Sequence, residues 1–451
     1  MCIQFFLLFL PNMQSLVVTG GQKLSGSVAV SGAKNVALKA IVAACLTDEP
    51  VTLQNVPYIS DVDVMLDIAK DLGAVITKHD HTITITVKKI KSHEVSLEKA
   101  ARLRASSLFI APLLSRIGEA IIPNPGGCRL GARPIDRIID GIRSLGADIV
   151  YHSEDGYFHA KAKELHGTTY HFDKNTHTGT ETLILVAVLA KGKTVLHNAA
   201  EEPEIDDLIT LLNLMGARVQ RSAKREITIT GVESLHGTTF TISPDRNEIV
   251  TFAIAALVTN GDITVEHVNK KGIEAFLEKL TKAGAGFEET KNGMRFFSQG
   301  LLHATDVITA IYPGFMTDWQ APWTVLMTQA HGISTVHETI FENKMGYITE
   351  LNKMGARISP FIPQTENVET FYNFNLSDDK PEYVHAIKIN GPQQLHNAII
   401  TMEDIRAGAA VVLAALAAKG TSTIFGVEKL DRGYESFEKR LQALGAIIER
   451  K

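Results

Sequence analysis

Residues 183–230 run Leu183-Ile184-Leu185-Val186-Ala187-Val188-Leu189, then Thr194-Val195-Leu196-His197-Asn198, then Glu204–Met215, then Gly216-Ala217, and close on Glu226-Ile227-Thr228-Ile229-Thr230. The first run is apolar on every side, which in a helix demands burial. The second and last are β-rich runs. Glu204–Met215 is amphipathic, and the glycine just past it is the expected left-handed helix terminator. Outward from here the same Gly-Ala pair recurs at Gly73-Ala74, Gly146-Ala147, Gly284-Ala285, Gly355-Ala356 and Gly445-Ala446, at successive intervals of 73, 70, 68, 71 and 90 residues across the six copies.

Each copy has the same parts in the same order. Apolar helices are expected at Val36–Leu46, Leu108–Leu114, Phe252–Val258, Trp323–Met327 and Ala407–Ala417. Strands follow at Val51–Val56, Ala120–Pro123, Ile263–Val268, Ser334–Glu338 and Ser422–Val427. An amphipathic helix such as Tyr434–Leu444 then leads into the glycine, and strands such as Thr82–Val87 close the unit. The long final interval contains the polar stretch Gln364–Pro381, which reads as an inserted loop. The pattern predicts an α/β (α+β) protein of six repeats of about 70 residues, three per domain, with helices inside and sheets outside. The boundary is expected near Ser243. If the N-terminal strand Leu16–Ser31 completes the second lobe, one domain is 13–33 plus 244–451 and the other is 34–243.

A chain of 451 residues is too long for one ordinary core, which agrees with two domains. Its 45% hydrophobic and 21% charged residues are those of a soluble globular protein. A net charge of −5 with mixed signs gives no global footprint for nucleic acid. Cys2, Cys45 and Cys128 are few and scattered, which fits a reducing, cytoplasmic setting without disulfides. No clustered His/Cys spacing suggests a metal, so none is expected. Ile3–Leu10 is apolar but far short of the ~20 residues a spanning helix needs. Residues 1–12 read as a dispensable leader, with a short membrane-surface anchor as the alternative, and no stable membrane association is expected.

The starts of the buried helices carry Lys34-Asn35, Arg104, Asp245-Arg246, Asp318, and Asp404 with Arg406. Helix N-termini already hold partial positive charge and unpaired N–H groups. A carboxylate there is readily a cap. A cation works against the dipole and makes sense beside an anion; a solvated surface position is the plain alternative. In the Gly/Pro-rich segment Pro123–Arg137, Arg129 and Arg133 follow closely after Cys128, and such neighbouring cations make a thiol more acidic and reactive. Taken alone, Cys128 also reads as an ordinary loop cysteine.

Five segments resemble, in order, the signatures of the UDP-N-acetylglucosamine 1-carboxyvinyltransferases. They are Ser31-Gly32-Ala33-Lys34-Asn35; Gly126-Gly127-Cys128-Arg129-Leu130-Gly131-Ala132-Arg133-Pro134-Ile135-Asp136; Tyr312–Gln320; Glu403–Gly408; and Asp431–Glu435. The likeness runs from about Leu16 to Lys451. It implies two inside-out α/β lobes of three repeats each. It also implies transfer of the enolpyruvyl group of phosphoenolpyruvate to the 3′-hydroxyl of UDP-N-acetylglucosamine, the first committed step of peptidoglycan precursor synthesis, with no cofactor.

By the same resemblance Cys128 is the acid and a thiol able to add to C2, and Asp318 is the base. Lys34, Arg133 and Arg432 clamp phosphate and carboxylate, with Arg406 helping, while Asn35 and Arg104 position substrates. Arg133, Pro134, Ile135, Asp136 and Arg137, then Thr176, His177, Thr178 and Gly179, and Ile340, correspond to nucleotide-sugar contacts. Departures are Met316 for Pro, Lys344 for Arg, Ile138 for His, and a longer Asn175–Gly179 run. Two competing readings are a 5-enolpyruvylshikimate-3-phosphate synthase, whose relatives lack the cysteine, and a non-catalytic UDP-sugar-binding paralogue.

Overall fold

The computed structural model describes residues 14–126 and 135–451. They form a mixed α/β fold in two compact units. One comprises residues 14–30, Arg246–Ala310 and Gly314–Lys451; the other comprises the described part of Ser31–Asp245 with Ile311–Pro313.

All six Gly-Ala pairs end helices in the same way. Their glycines take φ between +77° and +107°, a region open to glycine at little cost. Gly73 N–H donates to Lys70 O at 2.9 Å, and Ala74 N–H donates to Ala69 O at 2.9 Å. The same pair of bonds recurs at the other five sites, for example Gly216 to Asn213 and Ala217 to Leu212. This is the Schellman closure, which satisfies carbonyls the helix end would leave bare. Helix Pro203–Leu214 also begins with proline in its first turn, where a missing N–H costs nothing.

The apolar helices are buried along most of their length. All thirteen residues of Arg246–Val258 and ten of eleven in Lys34–Ala44 are buried. Each fully buried Leu, Ile or Phe contributes roughly 1.5–3 kcal/mol. The expected helix at Leu108–Leu114 is a 3-10 turn, Arg104–Phe109, followed by Ile110–Ile117. Pro112 has no N–H for the Leu108 carbonyl, so a regular α-turn is not available there. The expected helix Tyr434–Leu444 shortens to Phe437–Ala443, because Ser436 takes φ +44° just before it.

There are five four-stranded sheets and one three-stranded sheet among the described residues. In one, Thr238–Thr241 runs parallel to Val51–Gln54, which pairs antiparallel with Thr82–Thr86 and, through it, Val75–His79. In the three-stranded sheet, Glu119–Pro123, Tyr157–Lys161 and Asp148–His152 form the antiparallel part, and the parallel edge is reduced to the single bridge Glu94 to Ile121. Ser15–Thr19 lies between Thr421–Phe425 and Ile447–Arg450, antiparallel to both. Ser15 and Lys451 exchange two backbone hydrogen bonds of 2.8 Å.

The segment expected to be a polar loop, Gln364–Pro381, has its own structure. It carries the short helix Val368–Phe371, and Tyr372 and Phe374 are 6% and 5% exposed. Tyr372 and Phe374 stack near His385, so apolar rings anchor what composition reads as solvated. Among the described residues no helix is long and apolar enough to cross a membrane.

Candidate active site

Each unit gathers charged side chains at buried helix starts. In the unit built around Ser31–Asp245, Gly32 bridges to Pro244 and Ala33 N–H donates to Ser243 O at 2.7 Å. A Cβ on Gly32 would lie 1.8 Å from the Asn55 carbonyl oxygen, so only glycine fits. Lys34 N–H, in the first turn of its helix, donates to Asp245 Oδ2 at 3.2 Å. Asp245 thus serves the helix start of Lys34–Ala44. Lys34 Nζ lies 2.6 Å from Asp61 Oδ2, with the two side chains 10% and 3% exposed. The cation that stands against the helix dipole therefore has a carboxylate beside it. Asn35, next along the helix, is half-buried.

A second buried network lies deeper. Lys39, fully buried, pairs with Glu181 and donates to Glu204 O at 3.3 Å. His177 Nδ1 is 3.0 Å from Glu181 Oε1. Burial disfavours charge on His177, but the Glu181 carboxylate outweighs it and raises the imidazole pKa above its usual value. Burial also works against the Glu181 anion, and Lys39 with His177 reverses this and lowers its pKa. Thr176 caps the helix His177–Ala187, its Oγ1 accepting the Gly179 N–H at 3.2 Å. Thr178 O accepts the Thr182 hydroxyl at 2.7 Å.

Arg137 donates from Nε and Nη2 to the two carboxylate oxygens of Asp173, at 2.6 and 3.3 Å. Partial burial would raise the Asp173 pKa, and the guanidinium fork brings it below normal instead. Ile135 is buried just before the helix Asp136–Ser144, and Asp136 is exposed in its first turn. Ile138, where the resemblance leads one to expect His, is 5% exposed in the core. Arg104 is half-buried at the head of its 3-10 turn. Cys128, Arg133 and Pro134 lie outside the described residues, as do residues 1–12.

In the other unit the turn Thr317–Trp319 leads into helix Gln320–Met327. Asp318 Oδ1 accepts from Lys344 Nζ at 2.8 Å, and its Oδ2 accepts from Arg406 Nε at 3.4 Å. Lys344 also donates to Thr317 Oγ1 at 3.0 Å. Burial would raise the Asp318 pKa, yet the two cations hold its carboxyl well below the usual carboxylate range. Glu338, fully buried, accepts from the Thr317 hydroxyl at 2.8 Å and from the Ile340 N–H at 2.7 Å. Burial raises its pKa, with Lys344 working in the opposite sense.

Arg406 opens helix Ile405–Ala417, whose N-cap is Asp404, and its guanidinium sits 5.1 Å from the centre of the Tyr434 ring. Arg432 follows the short helix Val427–Leu430 and is half-buried. Met316 has φ −71° and ψ 143°, a conformation proline also adopts, so the departure there leaves the backbone path unchanged.

The structure therefore brings Asp318 and Arg406 into contact, adds Lys344 to them, and places Thr176–Gly179 on one helix start. It gives Lys34 and Arg137 acidic partners, Asp61 and Asp173, that sequence reasoning missed, along with Glu181 and Glu338. Only Glu338 carried a signal: it ends the β-rich run Ser334–Glu338, and a carboxylate in a buried strand needs a partner. Chemically, an ionised carboxylate between two cations offers an acceptor for a hydroxyl and positive charge for an anion.

Residues 18–441 match the family model described as EPSP synthase (3-phosphoshikimate 1-carboxyvinyltransferase). The UDP-N-acetylglucosamine 1-carboxyvinyltransferase of Acidobacterium capsulatum is 42% identical over 97% of this chain and 96% of its own. UDP-N-acetylglucosamine 1-carboxyvinyltransferase 2 of Carboxydothermus hydrogenoformans is 41% identical over 97% and 99%. Among solved structures, the enolpyruvyl transferase NikO from Streptomyces tendae superposes with a TM-score of 0.84 at 23% identity, covering 98% of this chain and 99% of that one. EPSP synthase from Acinetobacter baumannii gives 0.72 at 18%, covering 98% and 100%, and both establish the fold. With near-complete coverage on both sides, the chain belongs to the UDP-N-acetylglucosamine 1-carboxyvinyltransferase family of enolpyruvyl transferases.

Proposed function

We propose that this chain transfers the enolpyruvyl group of phosphoenolpyruvate to the 3′-hydroxyl of UDP-N-acetylglucosamine, releasing phosphate and supplying peptidoglycan synthesis in the cytoplasm. The observation that carries this reading is the Asp318 carboxylate held between Lys344 and Arg406 at a buried helix start. The relatives' names supply the substrates.

Addition comes first. Cys128 gives a proton to C3 of the donor, C2 becomes electron-poor, and the sugar oxygen attacks C2 as Asp318 accepts its proton. Elimination follows: C3 returns a proton to the Cys128 thiolate, the double bond re-forms and phosphate leaves with the bonding electrons. Lys34, Arg133, Arg406 and Arg432 neutralise the phosphate and carboxylate, as developing charge requires. Asn35 and Arg104 orient the substrates. The 133–137 run, Thr176–Gly179 and Ile340 meet the nucleotide sugar.

In the free chain Asp318 is a weak base, because two cations stabilise its anion. A donor phosphate that draws Lys344 and Arg406 toward itself would return basicity to Asp318 when the hydroxyl is in place. The fold that serves this is the two-lobed, inside-out arrangement of six repeats, three per domain, with domains 13–33 plus 244–451 and 34–243.

The test is phosphate release with phosphoenolpyruvate and either UDP-N-acetylglucosamine or shikimate 3-phosphate. Release with the nucleotide sugar alone supports the proposal. Release only with shikimate 3-phosphate overturns it, and UDP-sugar binding without release indicates a non-catalytic paralogue.

A further inference from the structure

The hairpin of strands Asp148–His152 and Tyr157–Lys161 brings together three groups that the proposed reaction does not use. His152 stands directly opposite Tyr157. Side chains alternate along a strand, so His159 shares the face of Tyr157 and therefore of His152. The two imidazoles lie with ring centres 4.2 Å apart and planes 21° from parallel. Asp155, in the turn, folds back so that its Oδ2 is 2.8 Å from His159 Nε2. Its Oδ1 accepts the Tyr157 N–H at 2.9 Å, which fixes the carboxylate's orientation. One ligand atom from each of the three lies within 4.8 Å of the others.

We infer that His152, Asp155 and His159 form a binding site for a divalent transition-metal ion of the Zn²⁺ class, completed by solvent. Two imidazoles with one carboxylate suit zinc, cobalt, nickel or copper, whereas calcium and magnesium need more oxygens than the hairpin offers. Metal–ligand bonds of 2.0–2.1 Å in a tetrahedron put ligand atoms about 3.3 Å apart. The 2.8 Å contact between Asp155 and His159 opens to that spacing by side-chain rotation, and the stacked imidazoles turn out of parallel so that both nitrogen lone pairs face the ion. His152 and Asp155 are exposed, so an ion has access and water can fill the remaining position. The backbone bond to Asp155 supplies the outer support that metal ligands need. The spacing His-x-x-Asp-x-x-x-His works only because a hairpin folds it back, which is why the linear sequence shows no metal pattern.

The location adds a consequence. Gly156 O, in the same turn, accepts the N–H of Asn124 at 3.2 Å, and Asn124 precedes Cys128 by four residues. A bound ion would brace the hairpin against the strand that leads to the cysteine.

The test uses the full chain stripped with a chelator and titrated with zinc chloride against a chromogenic chelator. Wild type, Cys128→Ser, His152→Ala and His159→Ala are compared after circular dichroism shows that each is folded. The expected result is one site per chain in wild type and in Cys128→Ser, weakened more than about tenfold in both histidine variants. Cobalt bound to wild type should show d–d bands without a thiolate charge-transfer band. Equal zinc binding by wild type and both histidine variants, absence of binding, or loss of the site in Cys128→Ser would overturn the inference.

Discussion

Lys344 Nζ lies 2.8 Å from Asp318 Oδ1, and the lysine is 4% exposed while the aspartate is a quarter exposed. The cation is the more deeply seated member, so it positions the carboxylate. Lys344→Met leaves Asp318 with Arg406 alone and should lower kcat/KM about 100-fold, equivalent to about 2.7 kcal/mol. Lys344→Arg should keep most of the activity. Phosphate release measures both, and wild-type turnover in the methionine variant would remove Lys344 from the site.

Cys128 is assigned by motif and by the arginines that follow it, Arg129 and Arg133, so its test is chemical. An epoxide phosphonate such as fosfomycin should add to the thiol when UDP-N-acetylglucosamine is present, visible by intact mass. Cys128→Ser should lose the adduct and most turnover. A serine variant as fast as wild type would exclude the acid role.

Gly32→Ala would drive a methyl group into the Asn55 carbonyl at 1.8 Å. The backbone must shift, and Lys34 shifts with it. Overpacking of this kind costs typically 1–3 kcal/mol. Thermal unfolding should fall accordingly, and KM for phosphoenolpyruvate should rise. An unchanged melting temperature would mean that the turn has slack the structure does not show.

His337 is 7% exposed, 2.9 Å from the Tyr372 hydroxyl, and its pKa is driven down to about 4 by burial and by His385. A depressed histidine pKa means that the unfolded chain binds the proton more readily between pH 6.5 and 4. The neutral ring's contribution is therefore full above pH 6.5 and is lost as the pH falls through that window. The loss at pH 5, relative to pH 7, is on the order of 1–2 kcal/mol. Denaturant midpoints of wild type and His337→Phe should converge as the pH drops to 5. Parallel midpoints would refute this role.

Much of the local fold was legible because glycine termination is written into backbone chemistry. Gly73, Gly146, Gly216, Gly284, Gly355 and Gly445 each sit where a helix must turn left-handed, and each does. The mixed α/β class followed from apolar runs alternating with β-rich ones. Of the site, Asp318 and Arg406 were readable as charges at helix starts. Asp61, Asp173 and Glu181 were not, because each acquires its meaning from a cation far away in sequence; Lys39 and Glu181, for instance, come from different helices. The aromatic anchoring of Tyr372 and Phe374 was missed because polar neighbours dominate the composition around them.

The strand Ser15–Thr19 has as its two neighbours Thr421–Phe425 and Ile447–Arg450, some four hundred residues downstream. In a growing polypeptide it must wait, unpaired, through almost the whole of translation, while the unit holding Lys34 already has its own strands. Assembly of the two units is thus staggered in time. A ribosome stalled before Ile447 would display one finished body and one sheet held open.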